Sequence, residues 1–419
     1  MGYDMSRDVG KRLEKYFPRT ILDFLLEIGN KASEQEQNLY LVGGSVRDLL
    51  LKRANYDIDL VLEGDAIKFA EEVSRIAGSK LIVHRRFSTA KLHLCNFSLD
   101  IAMARHEKYN SPGALPEVQK GTIEDDLLRR DFSINAMAIA LMPQRFGELI
   151  DLYGGMEDIE KRCLRILYSS SFIDDATRMF RIVRYEQRLG FEIDSHTGES
   201  LQRDIPMIQT ISGDRLRNEV ILMLKEEYPE RAICRAGELG LLGELNSSLM
   251  VNDWLTKKFV LARSIFRRSI SYPLYLCLLI WHLTEGESRK FVARLNFPAK
   301  LARIMLHTLH LKNKLCLLEN DDIKSSDIYY LLREFELQAI QANLIATNSN
   351  IVRQRIKLYS KKLRAIQPFL NGQELIRMGV PDGIQIGEML TILRRAKIDG
   401  EIVTYRDEQK LVYSKLKDL

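Results

Sequence analysis

The chain has 419 residues, 46% of them hydrophobic and 28% charged, with a net charge of +5. That length exceeds one compact core and calls for about two to four domains, while the composition excludes a disordered chain. The mild positive balance permits a polyanionic partner without demanding one.

Residues 1 to about 38 read as helix, with Ile21, Leu22, Phe24, Leu25 and Ile28 at helical spacing. The texture then changes to short β-rich runs at 40–42, 58–62, 80–83, 89–94 and 97–102, with helices at about 45–51 and 65–77. A small mixed sheet with helices, an α+β head, follows from that alternation. Residues 105–123 hold Pro112, Gly113, Pro116 and Gly121 and show no period, so they read as a long functional loop. Beyond Gly155 strand signals nearly vanish. The remainder reads as all-α, with breaks near Gly190, Gly213, Tyr228-Pro229, Pro273, Pro298, Pro368 and Gly372.

Cysteine usage and hydropathy narrow the setting. The five cysteines (Cys95, Cys163, Cys234, Cys277, Cys316) are odd in number and far apart, and no Cys-x-x-Cys pair occurs. A disulfide framework and a zinc ribbon are therefore not expected, and a reducing cytoplasm is. The greasiest stretch, 275–283, is too short to span a membrane. No signal peptide is expected. The pattern Met1-Gly2 with Ser6 fits N-myristoylation formally but lacks a polybasic partner, so no membrane association is expected.

The densest chemistry lies between residues 41 and 59. An apolar strand runs into Gly43-Gly44-Ser45-Val46-Arg47-Asp48, and Asp57-Ile58-Asp59 follows. Gly43 and Gly44 let backbone N–H groups approach phosphate closely, at the positive end of a new helix. Arg47 suits a bidentate grip on phosphate. Asp57 and Asp59 alternate along a strand, so their carboxylates share a face. Such a pair is unstable without a cation between, and its hard oxygens suit Mg²⁺. Gly-Gly alone is usually a tight turn and Asp-x-Asp alone a solvated strand end; their order and spacing make them specific. Asp100, on the run Leu99-Asp100-Ile101-Ala102, is either a third catalytic carboxylate beside them or an ordinary edge-strand aspartate.

Two further segments add to this. In Arg129-Arg130-Asp131-Phe132-Ser133-Ile134-Asn135, the arginines suit polyphosphate, and Asp131 or Asn135 suits ribose hydroxyls. In the segment from Asp174 to Arg184, a continuous helix would place Asp175, Arg178 and Arg181 along one side, with Arg184 further round. Asp175 and Arg178 together offer acceptors and donors for a base edge, while Arg181 and Arg184 suit a triphosphate. A salt-bridged helix face is the plain alternative.

These segments, followed by Asp151-Leu152-Tyr153-Gly154-Gly155 and Ser212-Gly213-Asp214-Arg215-Leu216-Arg217-Asn218-Glu219, resemble the motif series of the bacterial tRNA nucleotidyltransferase / poly(A) polymerase family, within the DNA polymerase beta-like superfamily. The resemblance is specific over about 39–225 and looser beyond, at Gly387 and 399–403. It implies a nucleotidyltransferase head at 1–155, a helical neck at 156–225, a body at 226–368 and a tail at 369–419 that contacts tRNA. It implies template-free addition to the 3′ acceptor end of tRNA, with ATP and CTP as donors. Asp57 and Asp59 would hold Mg²⁺. Gly44 and Arg47 would contact the triphosphate, with Arg130 and Asp131 near the nucleotide. Asp175 and Arg178 would read the base, and Arg181 and Arg184 would bind phosphates.

Choice within the family turns on two stretches. The run from Glu107 to Pro116 resembles the flexible loop of enzymes that add the terminal A, which disfavours a CC-only enzyme. Asp174 stands where the family usually has Glu, and the run 184–191 resembles the A-adding specialists. CCA addition and A addition therefore stay nearly level, with poly(A) polymerase a further alternative. A non-catalytic RNA-binding protein would have lost an acidic residue or the glycine pair, and both are present. A small-molecule nucleotidyltransferase would not need the long helical remainder.

Weaker signals remain. Basic runs at Lys257, Lys258, Arg263, Arg267, Arg268 and at Arg353, Arg355, Lys357, Lys361, Lys362, Arg364 suit either RNA phosphates or a solvated helix face. His307 and His310 have the spacing of a metal pair without an evident third ligand. The sequence leaves oligomeric state open.

Overall fold

The computed structural model describes residues 9–53, 57–85, 88–94, 97–266 and 271–417. The Met1-Gly2 pattern, Cys95, Arg267 and Arg268 lie outside the described residues. The chain forms two compact units, one of Met1–Val220 with Glu238–Glu244, the other of Ile221–Gly237 with Leu245–Leu419.

The first unit opens with α1 (Val9–Tyr16) and α2 (Arg19–Glu34). The single helix expected over 1–38 is thus divided. Pro18 stands between the two with ψ 145°, and its missing N–H cannot continue the first ladder. A seven-stranded mixed sheet follows: β1 (Asn38–Val42), β2 (Asp57–Glu63), β3 (Lys80–His84), β4 (Thr89–His93), β5 (Ser98–Met103), and later β8 (Met137–Ala140) and β9 (Leu149–Asp151), in the order β3-β4-β5-β2-β1-β8-β9. Between β1 and β2 comes α3 (Gly44–Leu50), and between β2 and β3 comes α4 (Ala66–Ala77). β2 and β5 run parallel, whereas β1 pairs antiparallel with both neighbours. As an inner strand β1 is buried on both faces, hence the unbroken apolar run Leu39 to Val42. Tyr40, Val42, Val61, Ala104, Leu127 and Ala138 pack together beneath the sheet.

The stretch 105–123 is not a structureless loop. β6 (Arg105–Lys108) and β7 (Glu117–Lys120) form an antiparallel hairpin, and α5 (Ile123–Leu128) starts behind a capping box of Thr122 and Asp125. Its strands are mostly charged, so they lack the apolar alternation that marks a half-buried strand. Then come β8 (Met137–Ala140), β9 (Leu149–Asp151), α6 (Gly155–Lys161), β10 (Cys163–Leu164), α7 (Ser171–Asp174), α8 (Thr177–Leu189), β11 (Glu192–Ile193), α9 (Ser195–Asp204) and α10 (Gly213–Leu224). Gly190 ends α8 in the left-handed region, at φ +70°.

The second unit is helical. Pro229, Pro273 and Pro298 sit at helix starts, where a missing N–H costs nothing. Leu311, Tyr329, Ile340, Val352 and Ile356 form one core, and Leu375, Met389, Leu393 and Val412 another. His307 and His310 are engaged structurally. His307 Nδ1 accepts from the Glu336 N–H (3.3 Å), and His310 pairs with Glu285 (3.1 Å). Among the described residues no three metal-type ligands gather. In the basic run at 350–361, Arg353 donates to the Thr347 carbonyl (2.6 Å) and Arg355 to that of Leu318 (2.5 Å), so both guanidiniums brace main chain. No helix among the described residues is long and apolar enough to cross a membrane.

Candidate active site

The site starts where β1 meets α3. Gly43 has φ +65° and ψ −126°, a conformation that L side chains avoid, and a Cβ there would lie 2.4 Å from Arg130 Nη1. Ser45, one residue inside α3, fastens the helix to β2. Its Oγ donates to the Asp57 carbonyl (2.9 Å) and accepts from the Asp59 N–H (3.1 Å). Asp57 and Asp59 thus stand on one face of β2 beside the start of α3. Asp57 accepts from the Ser98 hydroxyl. Asp59 is the register partner of Asp100, and Asp100 that of Lys91, whose ammonium binds it at 2.8 Å. Solvent reaches Asp59, yet the protein packed around it crowds its carboxyl. That crowding pushes it up to about 6; Arg130 opposes the shift, Asp100 and Asp57 add to it, and Lys91 opposes it.

A second row of groups is wired through side chains. Arg47 donates to Asp48 (2.9 Å) and to Asn135 Oδ1 (2.6 Å). Asn135 donates to Asp131 Oδ1 (2.9 Å), and Arg181 of α8 closes on Asp131 Oδ2 with two N–H groups at 2.8 and 2.6 Å. Burial pushes the Asp131 carboxyl up, but Arg181, with the Asn135 bond and Arg178, outweighs it and holds the group at about 2. Arg129 and Arg130 both turn to Asp126, at 2.6 and 2.8 Å. They arrive at the pocket already paired.

Asp175 departs from the expected helix face. It lies in the break between α7 and α8, in extended conformation (φ −144°). Its carboxylate takes the Thr177 N–H (3.0 Å) and hydroxyl (2.6 Å), so it supports the first turn of α8 from outside. Arg215 of α10 binds it at 2.6 Å and also donates to the Gly113 carbonyl in the β6–β7 connection (3.2 Å). Arg178 is fixed by the Ser171 hydroxyl (2.6 Å), the Tyr168 hydroxyl (3.1 Å) and the Arg129 carbonyl (2.8 Å).

These groups converge on one polar cavity of about 570 Å³ within the first unit. Gly44, Arg47, Asp59, Arg130, Asp131, Asn135, Asp175, Arg178 and Arg181 line it. Gly43, Asp57, Asp100 and Arg184 do not; Arg184 is buried beside Glu219, at 3.6 Å. Tyr109 and Leu115 of the hairpin region also line it, as do Tyr185 and Arg215. Sequence reading assigned no part to Tyr185, Arg215 or Lys91. Arg215 stood inside a quoted motif, whereas Lys91 carried no local signal. Asp57 and Asp59 present hard oxygens on a strand whose like charges a divalent cation would relieve, so the donor set fits such an ion.

Fold and pocket together define a nucleotidyltransferase head: a mixed sheet with an Asp-x-Asp strand, a glycine-led helix and a guanidinium-rich cavity. Comparisons with known proteins narrow the class. Residues 39–165 match the family model described as poly A polymerase head domain, and 190–250 match one described as probable RNA and SrmB-binding site of polymerase A. The A-adding tRNA nucleotidyltransferase of Geobacter sulfurreducens is 33% identical across 97% of this chain and 48% of its own length. That of Halalkalibacterium halodurans is 30% identical across 92% of this chain and 90% of its own. The Thermotoga maritima CCA-adding enzyme complexed with tRNA superposes with a TM-score of 0.76 at 30% identity, covering 97% of this chain and 98% of that one. The chain belongs to the tRNA nucleotidyltransferase / poly(A) polymerase family. It spans about half the length of the first two curated relatives, 48% and 44%.

Proposed function

We propose that the chain is a tRNA nucleotidyltransferase of the cytoplasm that adds 3′-terminal CCA nucleotides to tRNA from CTP and ATP, without a nucleic-acid template and with release of pyrophosphate. In this reading the head spans 1–155, the neck 156–225, the body 226–368 and the tail 369–419. The observation that carries it is the convergence of Asp59, Arg47, Arg181, Asp175 and Arg178 on one cavity. A metal carboxylate, polyphosphate cations and base-edge groups then share one cavity.

The RNA 3′-hydroxyl attacks the α-phosphate in line, and pyrophosphate leaves. Asp57 and Asp59 are the residues that would hold Mg²⁺, which when bound lowers the hydroxyl pKa and offsets charge on the leaving group. Asp100, paired with Lys91 at 2.8 Å, sits beside Asp59 to accept the hydroxyl proton. Gly43, Gly44 and the start of α3 receive the triphosphate, with Arg47, Arg130, Arg181 and Arg184 neutralising it. Asp131 and Asn135 orient these cations beside the ribose, and Asp175 with Arg178 reads the base.

An A-adding specialist that completes tRNA ending in CC is the second reading. Curated relatives at 33% and 30% identity carry that name, and Asp174 shortens the family's usual Glu. Extension assays on three purified transcripts separate the readings: one lacking CCA, one ending in CC, one ending in CCA, each with CTP, ATP or both. Extension of the first to full CCA supports the proposal. Extension of the second alone, with ATP, makes it an A-adding specialist. Long A tails make it a poly(A) polymerase. No extension beyond an Asp57→Ala blank ends the enzymatic reading.

A further inference from the structure

Tyr185, near the end of α8, is 8% exposed and reaches the cavity wall. Four guanidiniums surround its ring: Arg47 at 5.1 Å, Arg184 at 5.3 Å, and Arg181 and Arg188 at 5.8 Å from the centroid. Arg181 and Arg188 lie one turn before and after it on α8, where helical spacing brings side chains together. Arg47 comes from α3, an element far away in sequence. Phe132 meets the same ring edge-on at 5.9 Å and fixes its plane. The Tyr185 hydroxyl makes no hydrogen bond among the described residues.

Like charges gathered this closely repel. Asp48, Asp131 and Glu219 offset part of that charge, on Arg47, Arg181 and Arg184. The ring supplies what carboxylates cannot: a negative face that attracts several cations without binding any in a fork. Arg47 and Arg181 also give N–H groups to Asp48, Asn135 and Asp131, and the ring adds its hold without taking up another.

We propose that Tyr185 is a positioning residue whose aromatic face holds Arg47 of the head and Arg181 of α8 as one preorganised polyphosphate cradle, with Arg184 behind them against Glu219. The inference rests on the polyphosphate reading of the cavity. Its determinant is the ring, not the hydroxyl.

Binding of inorganic tripolyphosphate to the full chain, by calorimetry, tests it apart from RNA extension. Tyr185→Leu lowers that affinity about tenfold. Tyr185→Phe restores it to within about twofold, since the face is kept. Phenylalanine analogues with one to three ring fluorines at the same position keep shape and fold but drain the face of electrons, so affinity falls stepwise with fluorine count. With CC-ended tRNA saturating, Tyr185→Leu raises KM for ATP more than it lowers kcat. A flat fluorine series, a Tyr185→Phe loss equal to that of Tyr185→Leu, or a wild-type chain that does not bind tripolyphosphate overturns the proposal. A wild-type chain that binds tripolyphosphate but extends no RNA ends the nucleotidyltransferase reading and leaves the fluorine series to decide this one.

Discussion

Asp59 and Asp100 face one another as register partners across the parallel pair β2–β5, and Lys91 neutralises Asp100 from β4 at 2.8 Å. The protein thus offsets one carboxylate with its own cation and leaves Asp59 crowded, its carboxyl pushed up to about 6 by the protein packed around it, against Arg130 and with help from Asp100 and Asp57. That is above the range near 3.9 of an unfolded aspartate. The folded state therefore holds the proton more tightly, and stability falls as pH rises from about 4 to 6. Above pH 6 the penalty is fully present, and a divalent cation bound there would relieve it. Magnesium is expected to raise the Tm clearly at pH 8 and little at pH 5. Asp59→Asn raises the metal-free Tm at pH 8, removes the magnesium response and abolishes extension. An equal magnesium response at both pH values would contradict this account.

The Asp131–Arg181 fork has the opposite sign. The Asp131 carboxyl is held at about 2, below its unfolded range, so its contribution is complete above about pH 4 and is lost as pH falls through 2. Asp131→Asn should cost about 2 kcal/mol at pH 7 and roughly half of that at pH 3. Urea unfolding at the two pH values reads the difference directly. A penalty that does not shrink at pH 3 would show that the fork's charge is not its source. KM for ATP should rise too, because Arg181 loses the partner that aims it.

How far this site was legible depends on where each residue's partners lie. Gly43, Gly44, Asp57 and Asp59 were readable because their geometry is local: a turn into a helix, and alternation along a strand. β1 and β2 were readable for the same reason, since burial writes apolar runs into inner strands. The β6–β7 hairpin was not, because its charged strands are paired by backbone and carry no apolar alternation. Asp175 was misplaced by helical spacing; its bonds to Thr177 put it outside α8, and the break at 175–176 left no glycine or proline to announce it. Lys91, Tyr185 and Arg215 matter through partners brought close only by folding.

Gly43 and Gly78 make a controlled pair. Both have positive φ, +65° and +59°. A Cβ added at Gly78 meets no other part of the chain within 4 Å, whereas one on Gly43 meets Arg130. Gly78→Ala should cost about 1 kcal/mol of strain and leave KM for ATP unchanged. Gly43→Ala should cost more, about 2 kcal/mol or above, and raise KM for ATP as Arg130 is displaced. Thermal melts with steady-state kinetics decide it; equal costs and unchanged KM in both variants would show that Arg130 moves aside freely.

Arg215 is the residue through which the hairpin region and Asp175 meet. One N–H group binds Asp175 at 2.6 Å, and another reaches the Gly113 carbonyl at 3.2 Å. Without it Asp175 keeps only Thr177, and its free oxygen loses the donor that aims it. A hydrogen bond to a charged group contributes about 1.5–3 kcal/mol, so Arg215→Ala should lower kcat/KM for the preferred nucleotide about 10- to 100-fold. The loss should fall unevenly on ATP and CTP, because the proposed function assigns the affected carboxylate to the base and not to the phosphates. Arg215→Lys keeps the charge but cannot reach both acceptors, so it should recover affinity for nucleotide better than discrimination. An even loss for both nucleotides would assign Arg215 to the stability of α8 and not to base choice. Thr177→Val separates those two cases, since it removes a bond from the helical side of Asp175 and leaves the link to Gly113 in place.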